Sequence, residues 1–291
     1  MSLRIQITPG TQVVDRDGRV GVALEALPDN RYRVRYADDS QSEHGRADLV
    51  LRKEVQGDPI EHLPHPAPEA ILRDGLILKV LVGSQAFGLA TDTSDRDLRG
   101  VFVAAAELQW SLRGAPSVIE PNPEEAYWEL ERFLVLGLKA NPNILECLFT
   151  QEIQFVTEVG TELLGLRQSL LSKLAYQTYN GYVLSQFKRI EADMRSTGHP
   201  KWKHAMHLIR LLLSGISLME RGVVLIDVAD HRDRLLAIRR GEMAWDDLEN
   251  WRLTLHARFD AAYRMSSLLD QPDAARVNDF LVSVRRRVAN G

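Results

Sequence analysis

One cysteine, Cys147, stands in 291 residues. A lone thiol excludes an intrachain disulfide framework and any cysteine-built metal cluster within one chain, and it fits a reducing compartment. Long apolar runs are lacking as well. None approaches the ~20 residues a bilayer-spanning helix needs, and the start, Met1-Ser2-Leu3-Arg4-Ile5, lacks the apolar centre of a secretory leader. The expectation is a soluble, cytoplasmic protein with no membrane partner. Charge of one sign is also missing: 36 Lys and Arg face 40 Asp and Glu, a net charge of −4. No global field therefore draws the chain to nucleic acid, and any such contact must come from a local basic cluster. There is no internal repeat, no low-complexity tract and no aromatic-rich strand of the RNA-recognition type. The five tryptophans, at 110, 128, 202, 245 and 251, are scattered and form no stacking platform. What remains is an ordinary globular composition, long enough for a sizeable core and for one large or two to three small domains.

Residues 1–53 read as a small β module. Short extended segments at 11–14, 21–24 and 48–51 accompany a strictly alternating stretch, Arg31-Tyr32-Arg33-Val34-Arg35-Tyr36, with three arginines on one face. Asp17-Gly18 and Asp38-Asp39-Ser40 supply turns. Four or five strands in so short a span predict a small SH3-like or Tudor-like barrel. The arginine face is expected to be the solvated side of a half-buried sheet, with phosphate binding as the alternative. Gly57, Pro59, Pro64, Pro66 and Pro68 make 54–68 a semi-rigid linker. Beyond it the pattern predicts a helix at 68–74, strands at 76–82, 98–103 and 117–120, and a helical stripe of Leu130, Phe133, Leu134 and Leu138. Asn141-Pro142-Asn143 is a turn, with Glu146 as its tie, and 144–149 is a helix or a strand. From Gly160 the apolar stripes are helical, with 223–228 as a short strand and Arg285-Arg286-Arg287 as a solvated helix end.

The densest chemistry lies in GSQAFGLATDTSDRDLRGVFV, residues 83–103. A strand ending at Gly83 permits close backbone approach. Ser84 is expected to cap a short helix from Gln85, leaving amides and a hydroxyl facing a phosphate. Asp95 and Asp97 are two apart, so on extended backbone both carboxylates share a face. Paired carboxylates repel, and a hard dication relieves the repulsion. Two such ions about 4 Å apart can stabilise the attacking and leaving oxygens of a phosphoryl transfer.

This stretch resembles the G-S-x-A-[YF]-G-L-x-T-x-x-S-D-x-D-x-x-G-[VI] motif of predicted nucleotidyltransferases in the DNA polymerase β superfamily. The likeness extends to residues 130–134, 139–146, 204–211 and 238–242, and covers roughly residues 70 to 285. It is similar, within the superfamily, to the bacterial and phage branch that includes RNA-ligase-associated nucleotidyltransferases. The resemblance implies an α+β protein: a mixed-sheet catalytic core, placed at 69–150, and a helical domain at 151–291, behind the β module. It implies Asp95 and Asp97 as metal and catalytic residues, Gly83 and Ser84 as the triphosphate turn, two Mg²⁺ or Mn²⁺ ions, and a nucleoside triphosphate as substrate. It also implies a third carboxylate, usually Asp. No Asp lies between Asp97 and Asp193, which leaves Glu124, Glu125 and Glu129, with Glu124 favoured by alignment. Basic residues of the helical region are expected at the phosphates. Lys203, His207 and Arg210 share a helix face, whereas His204 and Arg210 do not. The expected activity is transfer of a nucleoside monophosphate to an acceptor hydroxyl, with an RNA end as leading acceptor and a small molecule or protein side chain as others. The alternative is nucleotide or nucleic-acid binding without turnover, motivated by the missing Asp.

Overall fold

The structure, a computed structural model, describes residues 7–53, 63–91 and 94–290. The chain divides into two units, Met1–Pro64 and His65–Gly291. Most of the expected linker, residues 54–62, lies outside the described residues, as do Asp92 and Thr93 of the motif.

The first unit is an antiparallel sheet of β1 (Gln12–Val14), β2 (Val20–Leu27), β3 (Arg31–Tyr36), β4 (Gln41–Gly45) and β5 (Val50–Leu51), in the order β4-β3-β2-β1-β5. Tyr32, Val34 and Tyr36 of β3 turn into a core with Val13, Ala23, Leu49 and Leu51, as the period of two requires. Gly18 takes the left-handed turn position with φ +79°. The hydrogen-bonded order is linear, with β4 and β5 at its edges. On the outer face Arg33 pairs with Glu25 and Glu43, and Arg31 reaches Glu43 at 3.3 Å. Two of the three arginines are thus matched across strands by acids.

The second unit opens with α1 (Pro68–Gly75), started by proline at its first position. It then builds a mixed five-stranded sheet. The strands are β6 (Leu76–Leu81), β7 (Leu98–Phe102), β8 (Val118–Asn122), β9 (Glu125–Glu129) and β10 (Ile153–Val156), in the order β10-β6-β7-β9-β8. Only the β7–β9 pair among these ladders is parallel. Short helices α2 (Gly83–Ala86) and α3 (Ala106–Trp110) follow β6 and β7. Next come α4 (Leu130–Leu138), α5 (Pro142–Phe149) and α6 (Glu158–Gly165). The chain ends in α7 (Leu174–Thr197), α8 (Trp202–Arg221), α9 (Arg232–Arg239), α10 (Trp245–Met265) and α11 (Ala274–Asn290). Residues 144–149 are helix. Helix α8 packs against α7, α9 and α10, and from Ala205 to Met219 every residue but His207 is buried. One continuous core joins the sheet to these helices.

Three differences from the sequence reading matter. Strand β10 extends the sheet past residue 150, pairing with the free edge of β6. Residues 223–228 are irregular, not a strand. Of the run expected to be a solvated helix end, Arg286 and Arg287 are exposed, whereas Arg285 is half-buried. Arg285 forks onto the buried Glu129 carboxylate at 2.7 and 2.8 Å, and Arg287 onto Glu162, fastening α11 to the β9–α4 junction and to α6.

Candidate active site

The site begins where β6 ends. Gly83 has φ +70°, a conformation glycine adopts without strain. A Cβ there would overlap the Asp97 carboxylate, so the glycine is also what lets Asp97 lie against the turn. The Val82 amide donates to the Asp97 carbonyl at 2.9 Å, locking the turn to the start of β7. Ser84 does not cap a helix as expected. The turn of α2 already includes Gly83, and no side chain caps its start, so the hydroxyl is not consumed there. The loop closes through the Leu89 amide on the Ser84 carbonyl at 2.8 Å.

Asp95 and Asp97 precede β7 and line one cavity of about 460 Å³ together with Gly83, Ser84 and Ser94. Arg96, between them, points away and pairs with Gln154. Arg99, two residues further, lies 3.7 Å from Asp97 Oδ1 and donates to the Leu98 and Glu124 carbonyls. It too faces the cavity.

The opposite wall is helical. Lys203, Met206, His207 and Arg210 of α8 enter the cavity at three- and four-residue spacing, joined by Arg239 of α9. His204 turns to α7, where its Nδ1 lies 2.9 Å from an Asp193 oxygen. The loop after Ser84 is tied to α9: Arg232 donates to the Gly88 carbonyl at 2.7 Å and Arg239 to the Leu89 carbonyl at 3.1 Å. Burial, and then the charges of Arg210, Lys203, His204 and Arg239, push the His207 imidazole down to about 3. It is therefore a neutral hydrogen-bonding group amid cations.

The third carboxylate is where sequence and structure part. Glu124 sits exposed at the β8–β9 turn, outside the cavity lining. Glu125 turns to the other face of the sheet, where the Tyr127 hydroxyl donates to it and Lys79 lies 3.5 Å away. Those partners hold its carboxyl below the usual range. Glu129 is engaged by Arg285. The β9 side chains facing the cavity are Ala126 and Trp128. Glu120 of β8 is the acid that stands in the cavity beyond the Asp pair and Glu146. Glu146, read as the tie of the 141–143 turn, instead accepts from Arg210. Asn141 caps α5 by itself, accepting from the Asn143 amide at 3.0 Å. Glu146 and Arg239 are not legible as site residues in the sequence, because each owes its role to a partner distant along the chain.

Among the described residues no three His, Cys, Asp or Glu side chains converge to hold a metal alone. The pair Asp95 and Asp97 nonetheless suits a hard cation. Both carboxylates face one cavity, and such an ion takes its remaining ligands from phosphates and water.

A family model described as "RNA repair pathway DNA polymerase beta family" (RlaP) matches residues 62–283. Over 153 residues the chain is 24% identical to the uncharacterized protein YcgL of Bacillus subtilis (strain 168). That stretch is 51% of this chain and 58% of that protein, so the chain spans less than two thirds of this relative's length. Among solved structures, the spectinomycin adenyltransferase AAD(9) of Enterococcus faecialis, determined with ATP and spectinomycin, gives a TM-score of 0.30 at 12% identity, over 66% of this chain and 94% of that one. A nucleotidyltransferase-like protein of Exiguobacterium sibiricum gives 0.26 at 14% identity, over 76% and 79%.

Proposed function

This chain belongs to the RNA repair pathway DNA polymerase beta family, a polymerase-β-type nucleotidyltransferase family, and from that premise we propose that it moves a nucleoside monophosphate from a nucleoside triphosphate to an acceptor hydroxyl. The observation that carries the reading is one cavity with two walls: Gly83, Ser84, Asp95 and Asp97 on the sheet side, Lys203, His207 and Arg210 on the helix side. A triphosphate is a string of anions that needs cations along its oxygens and a metal bridging them. The cavity offers the cations in Lys203, Arg210 and Arg239 and, in Asp95 and Asp97, carboxylates that would hold such a metal.

The roles divide by chemistry. Asp95 and Asp97 would hold Mg²⁺ or Mn²⁺, two ions in the full site, which when bound supply positive charge to the phosphoryl oxygens and the reacting hydroxyl. The Gly83–Ser84 turn, with Lys203 and Arg210, grips the outer phosphates, and neutral His207 donates one hydrogen bond without adding charge. The acceptor oxygen bonds to the α-phosphorus, the bond to the bridging oxygen breaks, and pyrophosphate leaves. Glu120 takes the proton from the acceptor hydroxyl. It replaces Glu124 in this role because it lines the cavity and, among the described residues, is in no ion pair. The family's description supports an RNA end as acceptor. The N-terminal five-stranded sheet is proposed to be a small SH3-like or Tudor-like module.

The test is the double variant Asp95→Ala with Asp97→Ala. Transfer of labelled NMP to short RNA should vanish while the melting curve stays that of a folded protein; transfer at the wild-type rate sinks the assignment. The non-acidic Ala126 and Trp128 favour a second reading, nucleotide binding without turnover. Saturable, metal-dependent NTP binding with no product from any of the four NTPs would select it.

A further inference from the structure

We infer that Glu146 is a positioning residue that fixes Arg210 in the phosphate-binding geometry, and that Phe87 is its second clamp. The inference rests on the proposed role of Arg210 at a nucleotide phosphate. Glu146 and Arg210 are each 6% exposed, yet both line the cavity. Arg210 Nη1 donates to Glu146 Oε1 at 2.5 Å. The face of the same guanidinium lies over the Phe87 ring, its central carbon 3.9 Å from the ring centroid. Its Nε is buried with no hydrogen-bond partner. One edge and one face of the planar cation are therefore fixed, and its Nε donor has no protein partner among the described residues.

A buried ion pair of this kind is not explained by stability. Taking two charges out of water offsets most of their attraction, and well-packed apolar side chains of similar volume often stabilise as much. Glu146 lies between Leu145 and Cys147, both fully buried, where an apolar residue would fit the surroundings. Nor does Glu146 serve its own helix, since Asn141 caps α5 unaided. What the pair does provide is orientation. Arg210 shares its wall with Lys203 and Arg239, whose like charges would drive a free guanidinium out of the cluster. A carboxylate behind it holds it there. The Phe87 clamp then couples that guanidinium to the sheet side: the Phe87 amide donates to the Gly83 carbonyl at 3.1 Å. The phosphate turn and the helical cation are thereby set at a fixed separation before any nucleotide arrives, the preorganisation that lowers the cost of binding.

Binding of a non-hydrolysable NTP, measured by calorimetry with Mg²⁺ on the full chain, tests this with four variants: Arg210→Ala, Glu146→Ala, Glu146→Gln and the double alanine. Glu146→Ala should raise Kd about tenfold, and Glu146→Gln, which keeps shape and an acceptor, about threefold. In the Arg210→Ala background, loss of Glu146 should change Kd by less than about twofold, because there is nothing left to position. If Arg210→Ala weakens binding but Glu146→Ala and Glu146→Gln do not, the positioning role is overturned and the phosphate role of Arg210 survives. Fully multiplicative effects in the double variant overturn it as well. If Arg210→Ala itself binds normally, the phosphate assignment fails, and this inference with it. Should Glu146→Ala melt below the assay temperature, Glu146→Gln gives the same decision.

Discussion

His207 shows how a single residue takes its chemistry from its neighbours. In the sequence it is a histidine at i+4 from Lys203 and i−3 from Arg210, and the helical spacing alone places the three on one face. The structure adds that burial, reinforced by those two cations and Arg239, pushes its imidazole down to about 3. The unfolded chain has an ordinary histidine near 6.5. Between those two values the unfolded state binds the extra proton, so stability rises with pH. The contribution is complete above about 6.5 and is lost as pH falls toward 3. Replacing His207 by Asn should flatten this limb: the drop in urea midpoint between about pH 7 and pH 4.5 should be smaller in the variant than in the wild type. An equal drop in both would show that His207 does not titrate as described. Glu146 and Arg239 were less legible than His207 because their partners, Arg210 and the Leu89 carbonyl, lie 64 and 150 residues away.

At the scale of elements, the strands with a mainly apolar signature are the readable ones. β6 and β7 follow from Leu76–Leu81 and Leu98–Phe102, and α8 from its stripe. β9 was not readable. It follows Pro121 and Pro123, begins with a glutamate, and exists because it pairs in parallel with β7, a long-range contact no local pattern announces. Missing β9 is what blurred the third carboxylate, since strand alternation decides which of Glu124, Glu125 and Glu129 could face the cavity. Glu129 illustrates the outcome. Its carboxylate is 5% exposed and serves structure, accepting both Arg285 nitrogens and the Glu131 amide that starts α4. Arg285→Ala should leave that charge buried without its cation, at a loss of about 3 kcal/mol of stability. Adding Glu129→Gln to it should recover part of the loss. Urea unfolding checks both; an unchanged midpoint for Arg285→Ala would mean the fork contributes nothing.

For the whole molecule, the division into Met1–Pro64 and His65–Gly291 leaves each unit with a core of its own. The full set of proposed catalytic residues lies in the second. A chain of residues 65–291 should accordingly fold, and NTP with Mg²⁺ should raise its melting temperature as ligand concentration rises. A chain that is unfolded, or folded and indifferent to NTP, would show that the first unit is needed. Among the described residues no helix is long and apolar enough to cross a membrane. Lys203, Arg210 and Arg239 line the same cavity as the Gly83–Ser84 turn, and their charges address phosphate oxygens whether or not these still belong to a nucleotide. On the proposed reaction the leaving pyrophosphate keeps the contacts that held the triphosphate. The cations proposed to hold the triphosphate should therefore also retain pyrophosphate, which is expected to inhibit transfer in competition with the nucleoside triphosphate until a pyrophosphatase removes it.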